Sequence, residues 1–385
     1  MTEAVDTFDD KIDLEKDQSQ QTGGTLLGEG IYGCAFDTPF KCKNPKVRTS
    51  PTNVAKLTSQ EDARAEIDAT KVLLQYPNSW QYFALVHTAC TPSPRADQKR
   101  ANLDDCKSLK GVPLPSLVQL TMPYAGKPIL SIPHKVHSIR FFPLCQHMLE
   151  AATVLLIKGL IHNDLHMNNI LCDTPSTTKF IDFGITWSPK HLTKEEVDLK
   201  LTKIFDPNFI AEPPEITYRN GLLDSKRKQW LVTNPSIMIL AQIQDKKPVL
   251  EFIYLLFGIP KEKQIRRLKR FIEASQCVKE EDWLTFFSLY WTKIDAWAIG
   301  VTILYVFLNI STDPLFEQSA DYKERIQSTL TTIKGLCDLD PRTRLDAAEA
   351  LRIWNPASPL LQDPAVQTWL KKQDEIRKLF PAASL

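Results

Sequence analysis

The chain has 385 residues, 43% apolar and 24% charged, an ordinary globular composition long enough for two lobes or domains with sizeable cores. Lys and Arg number 47 against 46 Asp and Glu, a formal net charge of +1, so bulk electrostatics gives no reason to expect nucleic acid or a membrane surface as a partner. The first twenty-one residues are acidic and polar with no apolar core, unlike a signal peptide, and the longest apolar run, 296–310, is too short to make a good membrane span. Eight cysteines stand at 34, 42, 90, 106, 145, 172, 277 and 337, and none forms a CxxC pair. Without a secretory signal the expectation is reduced thiols in the cytoplasm. Four of the eight fall in the first third, where a structural metal site or a redox bridge stays open.

Residues 1–21 read as disordered, with order starting near Thr22. Thr25–Phe36 reads as strand, glycine-rich turn, strand, with Gly28, Gly30 and Gly33 spelling GxGxxG. Glycines let a backbone approach phosphates closely. Alone the motif also fits a βαβ nucleotide unit or a plain hairpin, and Cys34-Ala35-Phe36 followed by a Pro-containing segment favours the hairpin. Val54-Ala55-Lys56 reads as a strand that carries a lysine amine. A helix opens at Thr58 or Ser59, with Thr58 and Glu61 as a plausible capping box. Glu61 is explained by capping. Glu66, deeper in the helix, is the expected partner of Lys56, with a solvated helix charge as the alternative. Residues 92–115 read as an inserted loop, 117–122 as a buried strand, and Pro123-Tyr124-Ala125-Gly126 as a hinge.

Phe141–Lys158 has helical periodicity and stops at Gly159. It leads into Ile161–Gly184, IHNDLHMNNILCDTPSTTKFIDFG, where two short strands flank a turn and polar residues sit at strand ends. Phosphoryl transfer needs this set: a carboxylate, Asp164, to orient and deprotonate a hydroxyl, and an amide and a carboxylate, Asn169 and Asp182, to hold metal against phosphates. His162 reads as a structural residue packed under the loop rather than a metal ligand. Further on come Glu212-Pro213-Pro214-Glu215, a helical KEKQIRRLKRFIEA with a basic face at 261–270, and Asp295-Ala296-Trp297-Ala298-Ile299-Gly300 at the head of an apolar helix. Asp340-Pro341-Arg342-Thr343-Arg344 and a short amphipathic helix, VQTWLKKQDEIRKLF, close the chain.

These motifs, in this order, resemble the eukaryotic-like protein kinases over residues 25–350. GEGIYGCAF with Pro39 and Cys42, HNDLHMNNIL, the PPE closure and a long insertion look like the divergent serine/threonine kinases of nucleocytoplasmic large DNA viruses. The resemblance implies an α+β bilobal protein-kinase-like fold: a small antiparallel β-sheet lobe with one helix at 22–124, holding a loop insertion around 92–115, and a larger, mainly helical lobe at 125–355, holding an insertion around 216–294. A helical tail follows at 356–385. It implies ATP and Mg²⁺ as cofactors, with Gly28, Gly30, Gly33, Ala55 and Lys56 at the nucleotide. Met122 would guard the adenine pocket, and the Pro123 carbonyl and Ala125 N–H would meet the adenine edge. Asp164 would be the base, Asn169 and Asp182 the metal ligands, and Glu66 the ion-pair partner of Lys56. Asp295 would hold the loop backbone from below, a role compatible with an N-cap, and Arg344 would pair with Glu215.

Protein substrates, no nucleic acid, no membrane and a monomer are the implied partners, in the cytoplasm, or in host cytoplasm or a virion if viral. Three departures qualify this. Asn163 stands where many such kinases carry an Arg that reads a phosphate on the activation segment, so that route of activation is not expected. His166 replaces a usual Lys, a form shared with aminoglycoside and choline kinases. The 216–294 insertion, with Trp230 and a turn at Asn234-Pro235, exceeds the usual length. A small-molecule phosphotransferase and a pseudokinase scaffold are the alternatives.

Overall fold

The chain pairs as strands on both sides of the glycine turn and again at Asn53–Thr58. A computed structural model describes residues 24–30, 33–98, 105–229 and 234–379; the expected disorder at 1–21 and Trp230 lie outside the described residues. Leu26–Gly30 (β1) and Gly33–Phe36 (β2) form an antiparallel hairpin with Gly30 opposite Gly33. Gly33 has φ +140°, and a Cβ there would lie 2.0 Å from the Leu57 carbonyl oxygen on the next strand, so only glycine fits. Asn53–Thr58 (β3), Thr88–Cys90 (β4) and Val118–Pro123 (β5) complete a sheet of order β1-β2-β3-β5-β4. Along β3, Ala55 and Leu57 are fully buried in a core with Phe36, Phe40, Leu114 and Leu117. The strand's two-residue period puts Lys56 on the other face.

Two disulfides staple this region, Cys34–Cys106 and Cys42–Cys90. The expectation of reduced thiols therefore fails for the first four cysteines, while Cys145, Cys172, Cys277 and Cys337 are free and buried. The reason is positional: strand pairing and the 92–115 insertion bring the Cα atoms of each pair to 6.2 and 5.9 Å, within disulfide range, which sequence spacing does not reveal.

The following helix, Gln60–Leu73 (α1), begins one residue later than the proposed box. Thr58 is the last, wholly buried residue of β3. Ser59 is the cap instead: its Oγ accepts from the Asp62 N–H at 3.1 Å and donates to the Asp62 carboxylate at 2.7 Å.

The chain divides into two compact units, residues up to Ala63 with Val86–Tyr124, and Arg64–Leu85 with Ala125–Leu385. One division falls inside α1 and another directly before Ala125. The second unit is mostly helical. It holds a small antiparallel sheet of Lys127–Pro128 (β6), Ile170–Thr174 (β7) and Thr177–Phe180 (β8). Gly126 enters it at φ +95°, where a Cβ would meet the Cys172 carbonyl at 1.9 Å.

Phe141–Ile157 (α2) ends, as its periodicity predicts, before Gly159 at φ +65°. Lys194–Leu199 (α3) and Pro214–Arg227 (α4) come next. The insertion folds as Pro235–Lys246 (α5), Pro248–Phe257 (α6), Lys261–Ala274 (α7), Gln276–Lys279 (α8) and Trp283–Tyr290 (α9). Asn234 caps α5, accepting from the Ile237 N–H at 3.3 Å, and Pro235 takes the first helical position. On α7, Ile265 and Leu268 are buried, Arg267 pairs with Asp338, and Lys263, Arg266 and Arg270 face solvent.

Ile294–Ile310 (α10) is the core of the unit. The helical run Trp283–Ile310 is 28 residues and apolar enough to cross a membrane, so length does not exclude a span; 78% of its most apolar window is buried within the fold. Tyr322–Leu336 (α11), Ala347–Trp354 (α12) and Pro364–Leu379 (α13) complete the chain. The α13 helix packs on this unit. Val366 is fully buried, Trp369 Nε1 donates to Asp346 at 2.9 Å, and Arg377 donates to Glu349 and to the carbonyls of Arg342, Thr343 and Arg344.

The Cys34–Cys106 bridge closes a sequence separation of 72 residues, worth about 4 kcal/mol in the chain-entropy account. Alkylation of the denatured, unreduced chain should label only the four free cysteines, and reduction should lower the denaturant midpoint of the first unit. Labelling of all eight without reductant would contradict the pairing.

Candidate active site

The loop after α2 is fixed by one carboxylate. Asp295 lies in the first turn of α10, one residue past the helix start, so it is not the N-cap; Lys293 holds that position. Its two oxygens accept the N–H of His162 at 2.7 Å and of Asn163 at 3.0 Å. Burial pushes the Asp295 carboxyl up, and the His162 ring and these two bonds oppose it. His162 is fully buried, its Nε2 donates to the Ile181 carbonyl at 2.8 Å, and its ring packs tilted against Phe183, centroids 4.8 Å apart. It is a strut between the two motifs, as its place under the loop predicts. Asn163 adopts φ +65°, a left-handed conformation that Asn tolerates better than most residues, and this turns the chain at Asp164.

Asp164 and Asn169 come together. Asn169 Nδ2 donates to the Asp164 carbonyl at 2.9 Å and lies 3.4 Å from the carboxylate Oδ2. Pairing of β7 with β8, Ile170 opposite Phe180, then carries the Asn169 carbonyl to the Ile181 N–H at 3.1 Å. Asp182 follows at once with φ +67°, a second non-glycine left-handed residue, ahead of fully buried Phe183. Residues 164, 169 and 182 are thus cross-tied through backbone bonds. His166 Nε2 lies 3.7 Å from Asp164 Oδ2, and its Nδ1 accepts from the Asn168 N–H at 3.2 Å, which sets the proton on Nε2, facing the carboxylate. Burial pushes the His166 ring below its usual pKa, while Asp164 and Asp182 pull it up.

The far end of the segment is closed by a buried, bidentate pair: Arg344 donates to both Glu215 oxygens at 2.7 and 2.8 Å. Arg344 also lies 4.9 Å over the Trp297 ring and donates to the carbonyls of Asp338 and Lys293.

In the first unit, Gly28 and Gly30 lie on β1, Gly33 on β2, and Ala55 and Lys56 on β3, with Lys56 8% exposed. Met122 and Pro123 end β5 opposite Val54 and Asn53. In the second unit Ala125 is buried, and Glu66 is 1% exposed, which excludes a solvated helix charge; Glu61, in the first unit, is exposed. Neither Lys56 nor Glu66 lacks a partner.

Two residues to which the sequence assigned no role join this site. A cavity of about 20 Å³ is lined by Asn163, Asp164, Lys203, Phe209, Glu212 and Asp295, among others. Lys203 Nζ donates to the Asn163 carbonyl at 2.7 Å. Glu212 is 5% exposed, with Oε2 accepting from Asn220 Nδ2 at 2.9 Å, and burial pushes its carboxyl up against the pull of Lys247 and Lys203. Lys203 lies in a Lys/Glu-rich stretch with no motif, and only the fold brings it to residue 163.

Comparison with curated proteins finds kinases over part of the chain. CBL-interacting protein kinase 1 of Oryza sativa subsp. japonica is 33% identical over 87 residues, 23% of this chain and 18% of that protein. CBL-interacting serine/threonine-protein kinase 24 of Arabidopsis thaliana is 33% identical over 85 residues, 22% and 18% of the two chains. Serine/threonine-protein kinase STE20 of Saccharomyces cerevisiae is 28% identical over 150 residues, 36% and 15%. No family model matches. The chain is thus weakly homologous to serine/threonine protein kinases over about a quarter of its length, and it covers only 15–18% of these relatives' own lengths.

The His166 geometry is open to a direct test. Its NMR titration midpoint should lie below the usual histidine value, and Asp164→Asn should move it lower still, because the removed charge is one that raises it. An upward move in that variant would contradict the arrangement.

Proposed function

We propose that the chain is an ATP- and Mg²⁺-dependent protein kinase that transfers the γ-phosphoryl group to Ser or Thr hydroxyls of protein substrates. The observation that carries this reading is the Asp164–Asn169 pair, cross-tied to the turn at Asp182 and held from beneath by Asp295. The partial homology to serine/threonine kinases supports it. In this reading Asp164 orients the attacking hydroxyl and accepts its proton as the O–P bond forms. Asn169 turns its Nδ2 toward Asp164, which leaves its amide oxygen as the candidate metal ligand, and Asp182 adds a carboxylate; hard oxygen ligands of this kind suit Mg²⁺. Bound there, the ion would neutralise charge on the phosphates.

The same reading assigns Lys56 to the α/β-phosphates and Glu66 to the ion pair that would orient it. Gly28, Gly30, Gly33 and Ala55 admit the nucleotide closely, and Met122, Pro123 and Ala125 take its base. The same reading makes the chain a monomeric, divergent kinase of the type carried by large DNA viruses, acting on protein and on neither nucleic acid nor membrane. A second reading, a small-molecule phosphotransferase, draws on His166 beside the base. The segment closed by Glu215 and Arg344 favours protein substrates over it.

Incubation with γ-labelled ATP and generic acidic or basic proteins should label protein, and Asp164→Ala should cut the rate about 10²–10⁴-fold. Undiminished labelling in that variant would remove the base assignment. Rapid ATP turnover in a metabolite screen, with no protein labelling, would select the second reading.

A further inference from the structure

Residues 185–212 join the turn at Asp182 to the buried Glu215, and the fold holds them at several points, among them a backbone bridge of Trp187 to Ile161 and the Phe209 and Ile210 carbonyls bonded by Lys247 and Trp297. On one side Arg219, fully buried on α4, donates to the carbonyls of Leu201 and Val197 and to the Thr202 hydroxyl. On the other, Lys203 Nζ donates to the Asn163 carbonyl at 2.7 Å, a charge-assisted bond to the residue directly before Asp164. Asn163 brings no charge of its own, and its Nδ2 is buried without a partner among the described residues. The Lys203 charge also acts on three neighbours, lowering the Asp295, Glu212 and His166 pKa values. It is thus one cation that acts on both buried carboxyls beside the loop, with Lys247 the larger influence on Glu212.

Three of the four hydroxyls of this segment are committed or buried, Ser188 being the fourth. Thr193 caps α3 in a reciprocal box with Glu196, Thr202 accepts from Arg219, and the Thr186 hydroxyl is buried. A phosphate on any of the three would displace a bond or enter a buried site.

Resting on the kinase reading above, we propose that Lys203 is a positioning residue: it docks the 185–212 segment on the loop through the Asn163 carbonyl and fixes Asp164, so the chain is competent with no phosphate on that segment. The polarity is opposite to a phosphate read by a loop arginine, since the charge sits on the segment and the acceptor on the loop.

The test uses the full chain, phosphatase-treated and checked by intact mass. The dephosphorylated wild type should transfer phosphate at its original rate. Lys203→Ala should lower kcat by up to about 10²-fold, the scale of a small misplacement of a catalytic group, with KM for ATP little changed. Lys203→Arg should restore most of kcat. Hydrogen exchange should rise at 161–165 and 185–212 in Lys203→Ala and not in Lys203→Arg, with far-UV circular dichroism reporting that both variants fold. Loss of activity on dephosphorylation, wild-type kcat in Lys203→Ala, or unchanged exchange in that variant would overturn the proposal. If no form of the wild type transfers phosphate, the kinase reading fails, and the exchange comparison still decides whether Lys203 holds the segment.

Discussion

One buried carboxylate organises the second unit. Asp295 comes from the most buried helix of the fold and spends both oxygens on two consecutive backbone N–H groups of a loop over a hundred residues earlier in the chain. A buried carboxyl normally rises in pKa and tends to neutralise, so it stays in place only where bonds to its charged form compensate. Here those bonds are supplied by the loop, which makes the partnership mutual. The helix cannot shed the loop without stranding a charge, and the loop cannot leave without losing two donors' partner. Asn163 can then hold a left-handed conformation that costs energy in isolation, because its N–H and carbonyl are both fixed, by Asp295 and Lys203.

The same logic recurs along the segment that leads away from the loop. Arg219, Lys247 and Arg344 are all nearly or wholly buried, and each donates to carbonyls, hydroxyls or carboxylates in or near this segment, Arg219 Nε alone having no partner among the described residues. Burial pushes Lys247 down to about 8 and Arg219 to about 10, with nearby carboxylates opposing the shift. Burying three cations is costly and adds little net stability against apolar replacements. What they do supply is geometric definition: a segment with little secondary structure of its own is held at many points by directional bonds.

Much of this was legible in the residues. HNDLHMNN, the Asp-Phe-Gly turn, Asp295 and Arg344 are short motifs whose chemistry demands particular partners, and Asp295–loop and Arg344–Glu215 bonds are present. Helical periodicity located α7 at Lys261–Ala274. What periodicity and motif spacing could not deliver were facts of tertiary placement. Thr58 and Ser59 are equally good caps in sequence, and the choice fell to Ser59 because β3 buries Thr58. The apolar run 296–310 reads as short until α9 is seen to extend it, and its meaning then depends on burial rather than length. Lys203 carries no local signal at all; its role follows from a backbone carbonyl forty positions away.

The disulfides expose the limit of reading cysteines by compartment. The first unit has a small core, essentially Phe36, Phe40, Ala55, Leu57, Leu114 and Leu117 around one sheet, and it carries a long insertion between β4 and β5 whose described residues hold little regular structure. Small cores leave little surplus over chain entropy, and cross-links that close long loops relieve that deficit by restricting the unfolded chain. Both bridges do this where the deficit is greatest: each ties the neighbourhood of β2 to the chain around β4 or beyond it. Cys34 and Cys106 are themselves buried members of that core, so the sulfur pair counts as packing as well as covalent restraint. The second unit, with ten or more helices around α10, has no such deficit, and its four cysteines stay unpaired and behave as small buried hydrophobes. The location of the bridges thus follows from where the fold lacks apolar area, a property of three-dimensional packing that the order of cysteines in the chain does not encode.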